Sequence, residues 1–171
     1  MFFRLLSIFL ALSFIVLSID INGQAQDTGS RIKDPNVTNS NSSRKEVTYK
    51  KARALQTSTA KKIVKVVEAL ERVDENGKED PDFVTVKEVL NELLEKKDNL
   101  RSYDRSVMWN YWGYVYFSEE RYSDAMQAYK NLLAEPESTI PLRVASLYTL
   151  AQLNFVNEDY EEGVKILLQW M

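Results

Sequence analysis

The sequence predicts an all-α protein: antiparallel helical hairpins stacked as a short right-handed solenoid, preceded by a signal peptide and a flexible linker. Three observations carry that expectation. Between Trp109 and Pro136, apolar and small residues fall at Trp109, Trp112, Gly113 and Tyr116, then at Ala125, Tyr129 and Leu132. Spacings of three and four put each set on one helical face, and the polar "SEERYSD" between them reads as a tight reversal. Short side chains at Gly113 and Ala125 let two antiparallel helices approach, while rings at Trp109, Tyr116 and Tyr129 fill the flanks. Sliding forward by 38 residues then places Gly113 on Ala151, Phe117 on Phe155, Tyr122 on Tyr160 and Ala125 on Gly163. The third observation is a change of composition, from an apolar N-terminal run to a tract of Gly, Pro, Asn and Ser, before any helical pattern begins.

Residues 1–25 read as a signal peptide, because Arg4 precedes fifteen mostly apolar residues from Leu5 to Ile19. Gly23 and Ala25 supply the small residues that a signal peptidase reads, which predicts cleavage before Gln26. An uncleaved inner-membrane anchor facing the periplasm is the alternative. Residues 26–43 have almost nothing to bury and form a disordered linker. Asn36 and Asn41 open N-x-S/T triplets there, a pattern that such composition also produces by chance.

The helical domain is expected over 44–171, with 44–98 as a degenerate hairpin. Ser43 and Glu46 suggest a capping box, followed by a basic helix running to Val73 with a stripe at Ile63, Val66, Val67, Leu70 and Val73. Its lysines and arginines, from Lys45 to Lys65, read mainly as a solvated face. Gly77 breaks the chain, and Asp80 with Pro81 is expected to start a helix that buries Phe83, Val86, Val89, Leu90, Leu93 and Leu94. Ser102 is the expected cap of the next helix, with Asp104 at its positive end. Two further hairpins occupy 103–136 and 141–171. The last ends on Leu167, Leu168, Trp170 and Met171, an apolar face expected to be covered by further repeats of a longer array, by self-association or by a partner.

Trp109, Trp112, Gly113, Tyr116, Ala125, Tyr129 and Pro136 stand at the offsets W-x2-L-G-x2-Y, A-x3-F and a closing Pro, so the chain resembles the tetratricopeptide-repeat family. Trp112 stands where Leu is usual, Pro136 comes one residue early, and the 38-residue spacing exceeds the usual repeat of roughly 34. Tyr122, Ala151, Tyr160 and Gly163 extend the pattern into the next unit. From Leu100 onward the text also resembles a narrower group of exported tetratricopeptide-repeat proteins, regarded in marine gammaproteobacteria as components of a TonB energy-transduction system. That resemblance implies a periplasmic location, association with a TonB/ExbB/ExbD-type complex and support of outer-membrane uptake. It attaches no functional residue to that role.

Composition narrows the chemistry. A net charge of -3 and a pI near 5.2 argue against gripping nucleic acid through backbone charge. With no Cys and no His, the thiol nucleophile, the thiolate metal site and the imidazole base are all missing. No Gly-rich phosphate loop or calcium loop stands out, so the chain reads as non-enzymatic, without cofactor, metal or small-molecule substrate. The rival readings are an envelope-assembly adaptor on the same scaffold and, more remotely, an enzyme using a carboxylate or lysine. A concave face of first helices is expected to bind a protein segment through Asn110, Tyr114, Phe117, Tyr148, Gln152 and Phe155. Packing between hairpins is an equal reading for Phe117 and Phe155.

Overall fold

In the computed structural model, which describes residues 54–170, six α-helices follow one another. They are α1 (Thr57–Leu70), α2 (Phe83–Leu94), α3 (Ser102–Ser118), α4 (Tyr122–Ala134), α5 (Ile140–Val156) and α6 (Tyr160–Trp170). A single 3-10 turn, Lys97–Asn99, interrupts the connection from α2 to α3. The helices pair as α1 with α2, α3 with α4 and α5 with α6, and the hairpins stack in sequence through α2–α3 and α4–α5. This is a helical-repeat arrangement. The signal peptide, the linker, the Ser43–Glu46 capping box and Met171 lie outside the described residues.

The 38-residue period read from the sequence is also a period of backbone geometry. The hairpins at 102–134 and 140–170 start their first helices at Ser102 and Ile140 and their second at Tyr122 and Tyr160. Both reversals run through a left-handed glutamate, Glu120 at φ 60° and Glu158 at φ 62°. In the first, Glu119, Glu120 and Arg121 donate their backbone N–H groups to Val115, Phe117 and Tyr116 at 3.1, 3.0 and 2.9 Å. In the second, Asn157, Glu158 and Asp159 donate to Leu153, Phe155 and Asn154 at 3.0, 3.2 and 2.8 Å. These bonds occupy the last carbonyls of α3 and α5, which have no partner inside their own helices.

Hairpin α1–α2 departs from this plan. Its connection is twelve residues long rather than three, with an isolated bridge between Val73 and Glu79 and a turn through Gly77 at φ +77°. The helix expected to run from Ser43 to Val73 is not continuous, because Ala54 to Gln56 are non-helical and α1 begins at Thr57. The physical reason lies on α3. Buried Asp104 accepts the Gln56 N–H at 2.8 Å and the Arg101 Nε–H at 2.9 Å, while Arg101 Nη2 donates to the Ala54 carbonyl at 2.9 Å. The backbone groups before α1 are drawn to another helix instead of to their own. Val73, expected in the stripe, is exposed beyond the end of α1, whereas Ile63, Val66 and Ala69 are buried.

Two expected caps are also reassigned. Asp82, not Asp80, caps α2, accepting the Thr85 N–H at 3.1 Å and its hydroxyl at 2.8 Å. Those bonds hold its carboxyl below the usual carboxylate range. Asp80 instead pairs with Arg72 at 2.7 Å. Ser102 does not cap α3; its hydroxyl accepts the Glu137 N–H at 3.0 Å, across the junction between α4 and α5. Ion pairs join consecutive helices at the edges: Lys62 with Glu92, Lys87 with Glu119 at 2.6 Å, and a two-pronged Arg105–Glu135 pair at 2.7 and 2.8 Å. The last locks α3 to the C-terminal end of α4, where Glu135 is held extended before Pro136.

A left-handed residue with a Cβ is disfavoured by about 1–2 kcal/mol, part of which glycine recovers. Glu120→Gly and Glu158→Gly are each expected to raise unfolding stability by about 0.5–1 kcal/mol, additively, in thermal or denaturant melts. Loss of stability in either variant contradicts the shared turn geometry.

Candidate protein-binding surface

The surface is built on a crossing that dictates where every neighbouring side chain points. A Cβ on Gly113 would stand 2.7 Å from Cζ and 2.9 Å from Cε2 of Tyr129, so only glycine fits beneath that ring. Tyr129 is fully buried and has no room to retreat. In the next hairpin the roles are exchanged: a Cβ on Gly163 would meet the Phe155 ring at 2.6 Å. Ala125 and Ala151 are fully buried in the core that α4, α5 and α6 share with Tyr129, Leu150, Leu153 and Ile166. The four small positions chosen from the sequence therefore all lie at close contacts or in the core.

The other repeat-defining residues divide by depth. Trp112 is buried and stacks on Tyr116 with ring centres 5.0 Å apart, and the Arg121 guanidinium covers Tyr116 at 4.5 Å. Trp109 is half-buried along a shallow groove with Arg105, Asn131 and Glu135. Tyr122 is half-buried, whereas Tyr160 and Pro136 are exposed. The Trp170 side chain lies outside the described residues.

The six candidate binding residues form three pairs one repeat apart: Asn110 with Tyr148, Tyr114 with Gln152, and Phe117 with Phe155. Asn110 is buried, so it is not part of an open surface. Tyr114 is half-buried with its ring centre 6.3 Å from that of Phe83 on α2. Phe117 and Phe155 are half-buried against Tyr122 and Tyr160, at 5.9 and 6.4 Å, which anchors both rings inside their own hairpins. Tyr148 is exposed, and Gln152 is half-buried.

The pairs reveal an inversion that the sequence reading missed. On α3, positions Ser102, Ser106 and Asn110 are polar and buried; one repeat later, Ile140, Val144 and Tyr148 are apolar and exposed. Spacings of four place these three on one face of α5, with Gln152 next along it. Ile140 and Val144 carried a visible signal, the same step of four taken backwards from Tyr148. At the end of this stripe the Gln152 Oε1 is shielded from water without a hydrogen-bond partner, an acceptor whose demand is unmet. Chemically, the face offers apolar anchors and one backbone-seeking amide.

Burial also sets the titration of the inner tyrosines. It pushes the Tyr129 hydroxyl above the usual tyrosine range, with Tyr114 adding to the effect. It raises Tyr111 to about 12, with smaller contributions from Glu71 and Tyr103. Among the described residues, no group of three or more acidic, His or Cys side chains is placed to hold a metal, and no helix is long and apolar enough to cross a membrane. Comparison of the chain with family models, with curated proteins and with solved structures gives no match in any of the three.

The Tyr129 hydroxyl is buried without a hydrogen-bond partner. Tyr129→Phe is therefore expected to keep the fold and raise stability by about 1 kcal/mol at neutral pH. A raised folded-state pKa means that stability is fully present below the unfolded value near 10 and falls as pH climbs above it. The substitution should blunt that alkaline loss in melts between pH 8 and 11, leaving the part due to Tyr111. A destabilised variant contradicts the unsatisfied hydroxyl.

Proposed function

We propose that the chain is a non-enzymatic interaction scaffold of the tetratricopeptide type, exported to the periplasm, whose α5 face receives a segment of a partner protein. The observation that carries this reading is the exposed stripe Ile140, Val144 and Tyr148 beside the unpaired Gln152 acceptor. Exposed apolar groups aligned on one face are the usual mark of a recognition surface. Partner side chains gain by burial against the stripe, and a partner backbone N–H satisfies the glutamine. Tyr114 and Phe83 supply a second aromatic edge on the preceding hairpins.

The sequence resemblance supports the narrower reading, in which the partner belongs to a TonB/ExbB/ExbD-type complex and the scaffold assists outer-membrane uptake. The rival is an adaptor in envelope assembly, built on the same repeat.

A photo-crosslinking residue at position 148, introduced in intact cells, tests both. The account expects a protein adduct, weakened roughly tenfold or more by Val144→Ala with Gln152→Ala while the far-UV helical signal is unchanged. Adducts with TonB-type components favour the uptake role, and adducts with assembly or cell-wall proteins favour the rival. The absence of any protein adduct, or indifference to the two substitutions, overturns the α5 surface.

A further inference from the structure

We propose that α6 is the contact helix of a symmetric dimer, its outer face packing antiparallel on α6 of a second copy of this chain. The first observation is a comparison between equivalent positions one repeat apart. Tyr122 and Met126 on α4 are half-buried against the core shared with α5 and α6. Their counterparts on α6, Tyr160 and Val164, are 61% and 50% exposed. The surface that continues the α4–α5 stacking interface is thus left bare.

Leu168 identifies what covers it. Its counterpart on α4 is Lys130, which stays exposed although α5 packs against α4. A further hairpin stacked in the same manner would leave position 168 in water, where a lysine is suited and a leucine is not. Yet Leu168 is 62% exposed, and with Tyr160 and Val164 it completes a stripe in steps of four along α6. A stripe of that width and direction suits one straight helix laid along it.

Charge selects the second copy as that helix. Glu161 and Lys165 are exposed and lie four residues apart on one flank of the stripe. In an antiparallel pair centred on Val164, Tyr160 packs on Leu168 of the second copy and Glu161 stands opposite Lys165 of the second copy. Two-fold symmetry forms each of these contacts twice, with no other partner required. The present Lys165–Glu162 pair, at 3.0 Å, is a surface contact of small worth and presents no obstacle to the exchange.

The full chain contains no cysteine, so a single introduced thiol reports one contact. Under mild oxidation Val164→Cys should give a covalent homodimer, while Lys130→Cys, exposed on α4, should remain monomeric. In the Val164→Cys background, Lys165→Glu is expected to lower the dimer yield about tenfold by turning two surface attractions into repulsions. Adding Glu161→Lys should restore it. Sedimentation of the cysteine-free chain gives an independent reading, with a dimer that Leu168→Glu converts to monomer. A cysteine-free chain that stays monomeric at all concentrations overturns the proposal. So does equal crosslinking at positions 130 and 164, a failure of the charge swap to restore the dimer, or crosslinking of position 164 to a different protein.

Discussion

The close approach of α3 and α4 at Gly113 is the constraint on which the rest of the described structure depends. A ring as large as Tyr129 lies flat over a position without a side chain, and the next residue size up would overlap it. That contact fixes the rotation of α4 on α3. The rotation in turn decides which residues of α4 meet α5, and so the core formed by Ala125, Tyr129, Leu150, Ala151, Leu153 and Ile166. Interiors packed to crystal-like density have two answers to such a contact, fit or displacement, and little between them. The α5–α6 hairpin solves the same problem with other residues: Leu167 replaces the tyrosine, Ala151 replaces the glycine, and the tight contact moves to Gly163 under Phe155.

Around this crossing the sequence supplies connections that hold the hairpins in step. Left-handed turns at Glu120 and Glu158 reverse the chain within three residues and occupy the carbonyls that the helices leave open. Arg105 with Glu135, and Ser102 with Glu137, tie the start of α3 to the junction leading into α5. Asp104 and Arg101 gather the backbone ahead of α1. A scaffold organised in this way keeps its binding residues on rigid helices, which limits the ordering that a partner must impose. On the proposed reading, the apolar stripes of α5 and α6 serve different partners, one foreign and one a second copy.

What was legible in the sequence was what repeats and what is periodic. The two C-terminal hairpins, their 38-residue offset, their small positions and their turns follow from spacing alone, because helix geometry ties spacing to facing. Caps were less legible. Ser102 and Asp80 have the right chemistry for a cap, but the partner each one finds is set by residues elsewhere in the chain or across a turn, which a local pattern does not encode. The same holds for the break at Ala54 to Gln56, forced from α3. Among the binding candidates, Tyr148 and Gln152 lie where the pattern put them. Asn110 does not, since burial depends on which neighbour covers a face, and equivalent positions on α3 and α5 differ in that respect. The exposed Ile140 and Val144 were passed over for that reason.

The central claim is that ring size opposite Gly113 fixes the register of the array, and a double-mutant cycle reads it directly. Gly113→Ala and Tyr129→Leu together install in the α3–α4 hairpin the pair that α5–α6 carries at Ala151 and Leu167. Each change alone should be destabilising, the first by about 1–3 kcal/mol through overpacking and the second through a cavity. In denaturant unfolding, the account predicts that the double variant is more stable than the sum of the single losses by at least about 1 kcal/mol. Strict additivity would show that the alanine and the ring do not compete for the same space, and would contradict the account.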